Sequence, residues 1–231
     1  MAKNESLHAG HRARLRKRFL EEGLDAFNEI NALELQLFYC VPRKDTNELA
    51  HRLINYFGSY TNVLNAPVSE LVKVDGVSEN IATYLSLQGA AVRYYLTNRK
   101  LGGTVVRTTE DYGNILLPYF IGKTNETVFV LCLDAKCKVL CCREVSEGSV
   151  NAASISMRKI MDIALSSNAT SVVIAHNHPS GVAVPSPEDI QTTHRLAKAL
   201  EAVDIILVDH LIVADSDYIS LVQSNLFAGV R

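Results

Sequence analysis

Residues 171–181 have the sequence SVVIAHNHPSG, and residues 185–189 have the sequence PSPED. The first segment begins with apolar, β-branched residues, which favour a buried strand that ends at the histidines. Side chains at positions i and i+2 of a strand point to the same face, so His176 and His178 are predicted to converge on one point. The proline and glycine that follow then turn the chain.

A helix is predicted to begin within the second segment. Ser186 is a good N-cap, and Pro187 is favoured at the first helical position. Asp189 then falls in the first helical turn, from which its carboxylate can face the two histidines. Two imidazoles and one carboxylate suit zinc, and three protein ligands leave the fourth tetrahedral position to water. We therefore predict a catalytic zinc site formed by His176, His178 and Asp189.

The predicted metal site implies hydrolytic chemistry. Zinc lowers the pKa of a bound water to about 7 and polarises a carbonyl as a Lewis acid. Hydrolysis also needs a carboxylate that accepts a proton and later returns it to the leaving amine. Glu144 and Glu147 are the candidates, and their spacing alone does not choose between them. Glu188 rivals Asp189 as a ligand, although a favourable interaction with the helix dipole also explains it.

The second half of the chain alternates apolar strand runs with helical segments, which predicts an α/β domain. Strands are predicted at residues 128–133, 138–142, 171–176 and 205–213, with helices that begin after Ser156 and near Ser186. The first two strands flank residues 134–136 as a β-hairpin. Asp209 and His210 belong to the last of these strands and are predicted to be a buried hydrogen-bonded pair rather than catalytic residues.

The first hundred residues lack long β-branched runs and show helical spacing, which predicts a small all-α domain joined to the α/β domain through Gly102 and Gly103. Helices are predicted at residues 31–40, after a Thr46 cap and before Gly58, at residues 68–74, and in a longer stretch through residues 81–96. The tight turn at residues 74–78 resembles a helix-hairpin-helix, a module that binds DNA phosphates through backbone N–H groups. Ser78 stands at the usual second glycine of that turn, and a basic cluster at residues 12–18 could add phosphate contacts.

Composition limits the classes of protein to consider. The 231 residues include 23 Lys+Arg and 25 Asp+Glu, and the formal net charge of -2 excludes a strongly basic nucleic-acid binder held mainly by bulk electrostatics. No stretch approaches the roughly 18 to 20 apolar residues of a membrane span, so we expect a cytoplasmic protein with no membrane partner. Five cysteines without a signal peptide predict reduced thiols rather than a disulfide framework.

These motifs resemble a known family. The run HNHPSG followed by PSPED resembles the JAMM signature of JAB/MPN metalloproteases, and the longer pattern from Glu144 through Gly148 and Arg158 to Asp209 and His210 is similar to RadC-type proteins. The segment GHRARLRKRF at residues 10–19 and the helical hairpin are also similar to the RadC N-terminal region. The resemblance implies a cytidine-deaminase-like JAB/MPN domain, a curved mixed sheet with flanking helices, over residues 101–231. It implies a helix-hairpin-helix-like domain over residues 1–100.

The resemblance also implies roles for individual residues. His176, His178 and Asp189 would bind zinc, Ser186 would stabilise the oxyanion or the water, and Glu144 would be the general acid/base. Glu147 would then be a bystander. The implied activity is that of a JAMM-type metallopeptidase or isopeptidase acting on a peptide or protein. The alternative is a DNA-repair or recombination-associated protein that binds DNA through residues 1–100, or a metal-dependent nuclease.

Overall fold

The computed structural model describes residues 10–42, 46–98, 103–147, 157–215 and 217–228. The chain divides into two compact units, residues 1–92 and 93–231, and each has buried cores of its own. The predicted domain boundary near residue 100 stays a prediction. Within the described ranges, no helix is both long enough and apolar enough to cross a membrane.

The N-terminal part is helical, as predicted. Its helices are α1 (His11–Glu22), α2 (Glu29–Cys40), α3 (Asn47–Phe57), α4 (Tyr60–Asn65), α5 (Val68–Leu71) and α6 (Glu79–Asn98). Gly58 ends α3 at φ +87°, a left-handed conformation that favours glycine. Thr46 is the N-cap residue of α3, as predicted, but its backbone is not extended and its side chain makes no capping hydrogen bond.

The C-terminal part is an α/β domain built on a five-stranded mixed sheet, which confirms the predicted fold class. Its elements are α7 (Thr109–Phe120), β1 (Thr127–Leu133), β2 (Val139–Glu147), α8 (Met157–Ser166), β3 (Ser171–Asn177), α9 (Pro187–Glu201), β4 (Ile206–Ala214) and β5 (Asp217–Ser220). The strand order is β2-β1-β3-β4-β5, in which β3 and β4 are parallel and all other neighbours are antiparallel. Ser156, the predicted cap of α8, lies outside the described residues.

Helices cover both faces of this sheet. One face packs against α8 and α9 through the buried side chains of Val128, Val130, Val172, Ile174, Ile160 and Leu196. The other face packs against α7 through Phe129, Leu131, Val173, Leu211, Ile115 and Leu116. Because β1 and β3 are buried on both sides, their sequences are continuous apolar runs instead of alternating ones.

The five cysteines are free thiols, as predicted. Cys132 is fully buried in β1, and burial raises the pKa of its thiol to about 12. Cys141 and Cys142 are consecutive in β2 and point to opposite faces of the sheet, so Cys141 packs toward α8 and α9 and Cys142 toward α7.

Candidate metal centre

Two histidine side chains meet at the carboxyl end of β3. His176 belongs to the strand and is fully buried, and His178 follows it with a side chain that is 19% exposed. Their Nε2 atoms are 3.0 Å apart, so the two imidazoles converge on one point. The backbone N–H of His178 donates to the carbonyl of Val213 in β4, which holds the chain beside the sheet past the end of β3. Gly181, at φ +78°, then closes a turn by donating its N–H to the His178 carbonyl.

A carboxylate reaches the same point from the start of α9. Asp189 is fully buried and forms a capping box with Ser186, whose backbone N–H and Oγ donate to Oδ2 over 2.8 and 2.7 Å. The Asp189 N–H donates in return to Ser186 Oγ over 3.1 Å. This box points the carboxylate of Asp189 at His176 and His178, whose Nε2 atoms lie 3.2 Å from Oδ1 and 3.5 Å from Oδ2.

The charge state of Asp189 suits a metal ligand. Burial by itself would raise the pKa of this carboxyl, but the His176 imidazole, whenever it carries a hydrogen on Nε2, and the Ser186 donors outweigh burial and hold the pKa well below its ordinary value. Although Oδ1 is buried, no described residue provides it with a hydrogen bond of acceptable geometry. A buried, ionised and unsatisfied carboxylate oxygen is costly unless a cation pairs with it.

The spacing of the donor atoms fits one metal ion. Nitrogen ligands about 2.0 to 2.1 Å from a tetrahedral zinc lie about 3.3 to 3.4 Å from one another. The two Nε2 atoms are 3.0 Å apart, and the Asp189 carboxylate approaches that of His176 through Oδ1 at 3.2 Å and that of His178 through Oδ2 at 3.5 Å, all close to that value. His176, His178 and Asp189 therefore form a group that could hold a metal ion. Glu188, the rival ligand, is exposed in the first turn of α9 and is not a member of that group.

Two buried residues behind His176 complete the surroundings of the site. His210 in β4 contacts Nδ1 of His176 through its own Nε2 over 2.8 Å, and its Nδ1 contacts Thr193 Oγ1 over 2.6 Å. Burial and the neighbouring His176 ring lower the pKa of His210 far below its ordinary value, so this imidazole is neutral. Sequence reasoning missed Thr193, since a threonine within a helix carries no local signal of such a contact.

Asp209 and His210 are both buried, and the backbone N–H of His210 donates to Asp209 Oδ1 over 2.7 Å, as the predicted pair requires. Their side chains nevertheless lie on opposite faces of the sheet. Asp209 Oδ2 accepts a 2.7 Å hydrogen bond from Ser220 in β5, whereas His210 faces the candidate metal centre. These two consecutive residues therefore make contacts on opposite faces of the sheet, and only His210 contacts the candidate metal centre.

Ser186 and Glu144, the two predicted catalytic residues, have other partners in this structure. The Ser186 hydroxyl is partly buried and donates its hydrogen to Asp189. The Glu144 carboxylate is 42% exposed and forms an ion pair with Lys123 over 3.0 Å. Glu144 pairs in register with Phe129, whose side chain faces α7. The predicted catalytic roles of both residues stay predictions. The side chain of Glu147 lies outside the described part of the chain.

Sequence reasoning missed Glu126, the residue directly before β1. Val128 pairs in register with His176, and both side chains lie on the face toward α9. Alternation along β1 puts Glu126 on this same face, one step beyond Val128. Asn177 fixes this part of the chain, because its Oδ1 accepts the backbone N–H of Thr127 over 2.8 Å. Glu126 is partly exposed, and the alternation of β1 continued one residue past its end predicts that its carboxylate lies on the side of the sheet that carries the histidines.

Several basic residues of α1 make contacts within the N-terminal unit. Arg12 lies over the ring of Phe38 and donates to the carbonyl of Val41, and Arg18 pairs with Glu22.

The turn between α5 and α6 contains Gly76 at φ +87°, as a tight hairpin requires. The Asp75 carbonyl of that turn accepts from Arg52 Nε over 3.1 Å. Nucleic-acid binding by this region stays a prediction.

Comparisons with known proteins agree with the sequence motifs. The family described as the RadC-like JAB domain matches residues 106–226, a range that includes the candidate metal centre. A UPF0758 protein of Fusobacterium nucleatum is 36% identical over 233 residues, covering 96% of this chain and 99% of that protein. A second, from Ruegeria pomeroyi, is 35% identical over 209 residues, with 89% and 92% covered. A third, from Rhodobacter capsulatus, is 34% identical over 215 residues, with 92% and 99% covered.

Proposed function

This chain belongs to the RadC family, and on that premise we propose that it is a zinc-dependent hydrolase that cleaves peptide or isopeptide bonds. The observation that carries the proposal is the buried Oδ1 atom of Asp189, which accepts no hydrogen bond from the described residues and lies 3.2 Å from the Nε2 atom of His176. Together with His178, these groups have the donor chemistry of a catalytic zinc site, in which three protein ligands leave one position open.

The reaction needs both the metal and the residues around it. When bound, zinc acts as a Lewis acid toward a carbonyl and makes hydroxide available near neutral pH. His178 is the only partly exposed member of the ligand set, so substrate would approach from its side. The buried Asp189 and His176 would hold the deeper part of the site away from solvent.

A glutamate would move the proton. In this role a carboxylate accepts a proton from the attacking water at one Oε atom and returns it to the leaving amine. Glu144 is the residue that matches the family pattern, but its carboxylate is held by Lys123 and faces α7. Val128 shares the α9 face of the sheet with His176, and strand alternation places Glu126, two residues earlier, on that face as well, which would suit proton transfer better. We propose Glu126 as the general acid/base, with Glu144 as the rival.

Ser186 would contribute through its hydroxyl. Its hydrogen bond to Asp189 Oδ2 leaves Oδ1, which faces Nε2 of His176 over 3.2 Å, without a hydrogen bond from the described residues. A turn of the hydroxyl away from Asp189 would let it donate to the oxyanion of a tetrahedral intermediate, the role predicted from the family pattern. The backbone N–H of Ser186 would keep Asp189 oriented during that movement.

Metal analysis of the purified protein tests the proposal. We expect one zinc per chain in the parent and almost none in His178→Ala or Asp189→Ala, whereas Glu188→Ala, at the exposed neighbouring position, keeps the zinc. The zinc-loaded protein is then screened against peptide and isopeptide libraries. Full zinc retention by both ligand variants would refute the metal site, and a zinc-loaded protein that cleaves oligonucleotides but no amide would refute the substrate class.

The alternative is a DNA-associated function of the N-terminal unit in repair or recombination. It is favoured by the exposed Arg14 and Lys17 of α1 and by the glycine turn at Gly76. DNA binding by the full chain, measured across a salt series, is expected to weaken steeply with salt if phosphates are contacted. An Arg14→Glu, Lys17→Glu double variant should then lose affinity, whereas Glu21→Lys, on the same helix, should gain it. Binding that is undetectable in the parent would exclude this alternative.

A further inference from the structure

The side chain of Thr193, one turn after Asp189 in α9, makes two short contacts. Its Oγ1 lies 2.6 Å from the backbone carbonyl oxygen of Asp189 and 2.6 Å from Nδ1 of His210. Each contact requires a hydrogen atom between the two heavy atoms, because facing lone pairs repel at this distance. The carbonyl has no hydrogen to offer, so the hydroxyl donates its single hydrogen to Asp189. His210 must therefore donate from Nδ1.

The hydrogen on Nδ1 of His210 determines which ring donates in the hydrogen bond between His210 and His176. His210 is fully buried and, among the described residues, its two ring nitrogens contact only an imidazole and a hydroxyl, so no acidic partner compensates a positive charge and the ring carries one hydrogen. With that hydrogen on Nδ1, its Nε2 has a lone pair. Nε2 lies 2.8 Å from Nδ1 of His176, so His176 donates the hydrogen in that contact. A neutral His176 consequently has no hydrogen on its own Nε2. That atom faces His178 and Asp189.

His178 adopts the same Nδ1–H tautomer through a single hydrogen-bond acceptor. Its Nδ1 lies 3.1 Å from the carbonyl oxygen of Val182, which can only accept a hydrogen bond. The Nε2 atom of His178 therefore also carries a lone pair, and it lies 3.0 Å from Nε2 of His176. Two facing lone pairs repel at this distance, so the contact requires a metal ion or a proton between the two atoms. The two histidines differ in what orients them. One backbone carbonyl, that of Val182, orients the ring of His178. The ring of His176 is oriented by side chains, namely His210 of β4 and, through His210, Thr193 of α9.

We propose that Thr193 and His210 are positioning residues that hold His176 in the Nδ1–H tautomer and so present its Nε2 lone pair to a metal ion. The inference rests on the metal site of the proposed function. Neither residue touches the metal ion or the substrate, because both act through His176. Hydrogen bonds to the outer nitrogen of a histidine ligand contribute about 10- to 100-fold to metal affinity.

The hydrogen bonds that connect Thr193, His210 and His176 form a relay. Zinc affinity of the full-length protein, measured by competition with a chromophoric chelator, tests this relay. Thr193→Val removes the hydroxyl with little change of shape, and we expect zinc affinity to fall about 10- to 100-fold. Thr193→Ser keeps a hydroxyl and is expected to restore most of the affinity. Thr192→Val removes a hydroxyl at the preceding buried position of α9 and should bind zinc like the parent. Parent-like affinity in Thr193→Val would overturn the proposal.

The tautomer of His176 gives a readout that needs neither metal nor turnover. Long-range proton–nitrogen correlation spectra of the metal-free protein, recorded at about pH 8 so that ordinary imidazoles are neutral, distinguish the two tautomers. We expect the Nδ1–H form of His176 in the parent and a mixture in Thr193→Val. A parent in the Nε2–H form would overturn the relay. A parent that binds no zinc but shows the Nδ1–H form would refute the proposed function and leave the relay standing. If Thr193→Val failed to fold, the parent spectrum would decide.

Discussion

Glu144 and His176 lie on opposite faces of the central sheet. Their partners on β1 are Phe129 and Val128, two consecutive residues whose side chains point in opposite directions. Glu144 therefore faces α7, where Lys123 pairs with it, and His176 faces α9 and Asp189. We therefore expect the proton acceptor for chemistry at His176 on the α9 face, where the alternation of β1 places Glu126.

The first prediction separates these two glutamates. Glu126→Gln should keep the zinc of the parent and lower the turnover of an identified substrate at least about 100-fold, because it removes a proton acceptor and no ligand. Glu144→Gln should keep both zinc and turnover, and should change stability by less than about 1 kcal/mol because its ion pair is partly exposed. Turnover, zinc content and urea unfolding of both variants are the measurements. A loss of turnover in Glu144→Gln alone would restore the prediction made from the family pattern.

The ligand set could be predicted from sequence because its geometry is local. His176 and His178 are two residues apart on a strand, and Asp189 follows a serine and a proline that start a helix. Each of these relations depends on a short-range rule of backbone geometry. The rest of the site depends on register and on helix packing. Thr193 and His210 come from two other elements, and no local pattern states that they meet behind His176. Glu126 becomes a candidate only through the register of β1 with β3.

The buried strands of the fold could also be predicted from sequence, whereas some of the other elements could not. Continuous apolar runs predicted β1, β3 and β4, since strands buried on both faces have that composition. The helix α7 and the short edge strand β5 escaped prediction. Pro118 in the last turn of α7 interrupts the helical pattern, although the Thr108 and Asp111 capping box marks where that helix begins.

The second prediction compares two capping boxes, those of α7 and α9, in the described part of the C-terminal unit. Ser186→Ala should cost about 1 kcal/mol of stability and also weaken zinc binding, because Ser186 both caps α9 and orients Asp189. Thr108→Ala, in the capping box of α7, should also lower stability but leave zinc affinity unchanged. Chemical unfolding and chelator competition measure the two effects. Equal zinc affinity in parent and Ser186→Ala would remove Ser186 from the metal centre.

The third prediction concerns the buried carboxyl of Asp209. It accepts hydrogen bonds from Ser220 Oγ and from the backbone N–H groups of His210 and Val222. Asp209→Ala would leave these donors without their acceptor in the core, so we expect a loss of about 3 kcal/mol in the free energy of unfolding. Urea unfolding measures the loss. A cost below 1 kcal/mol would mean that water replaces the carboxylate.

The fourth prediction is the pH dependence of this same group. Burial raises the pKa of Asp209 above its ordinary value of 3.8, so the folded state holds the proton more tightly than the unfolded chain does. Its contribution to stability is complete below pH 3.8 and is lost as pH rises through the folded-state pKa. The stability of the parent relative to Asp209→Asn should therefore decline over that interval. Asp162→Asn, exposed on α8, corrects for the change in net charge. An opposite slope would mean that the hydrogen bonds to Asp209 outweigh its burial.

The fifth prediction tests helix packing in the N-terminal unit. A Cβ added at Gly89 in α6 would lie 2.3 Å from the backbone carbonyl oxygen of Leu64 in α4, closer than two such atoms can approach. Alanine is favoured over glycine within a helix by about 1 kcal/mol, but the clash falls on backbone that cannot turn aside. We expect Gly89→Ala to lower the free energy of unfolding by about 2 kcal/mol net. Thr83→Ala, exposed on the same helix, should instead be neutral or slightly stabilising. Urea unfolding followed by circular dichroism measures both variants, and a stabilised Gly89→Ala would show that α4 and α6 separate readily.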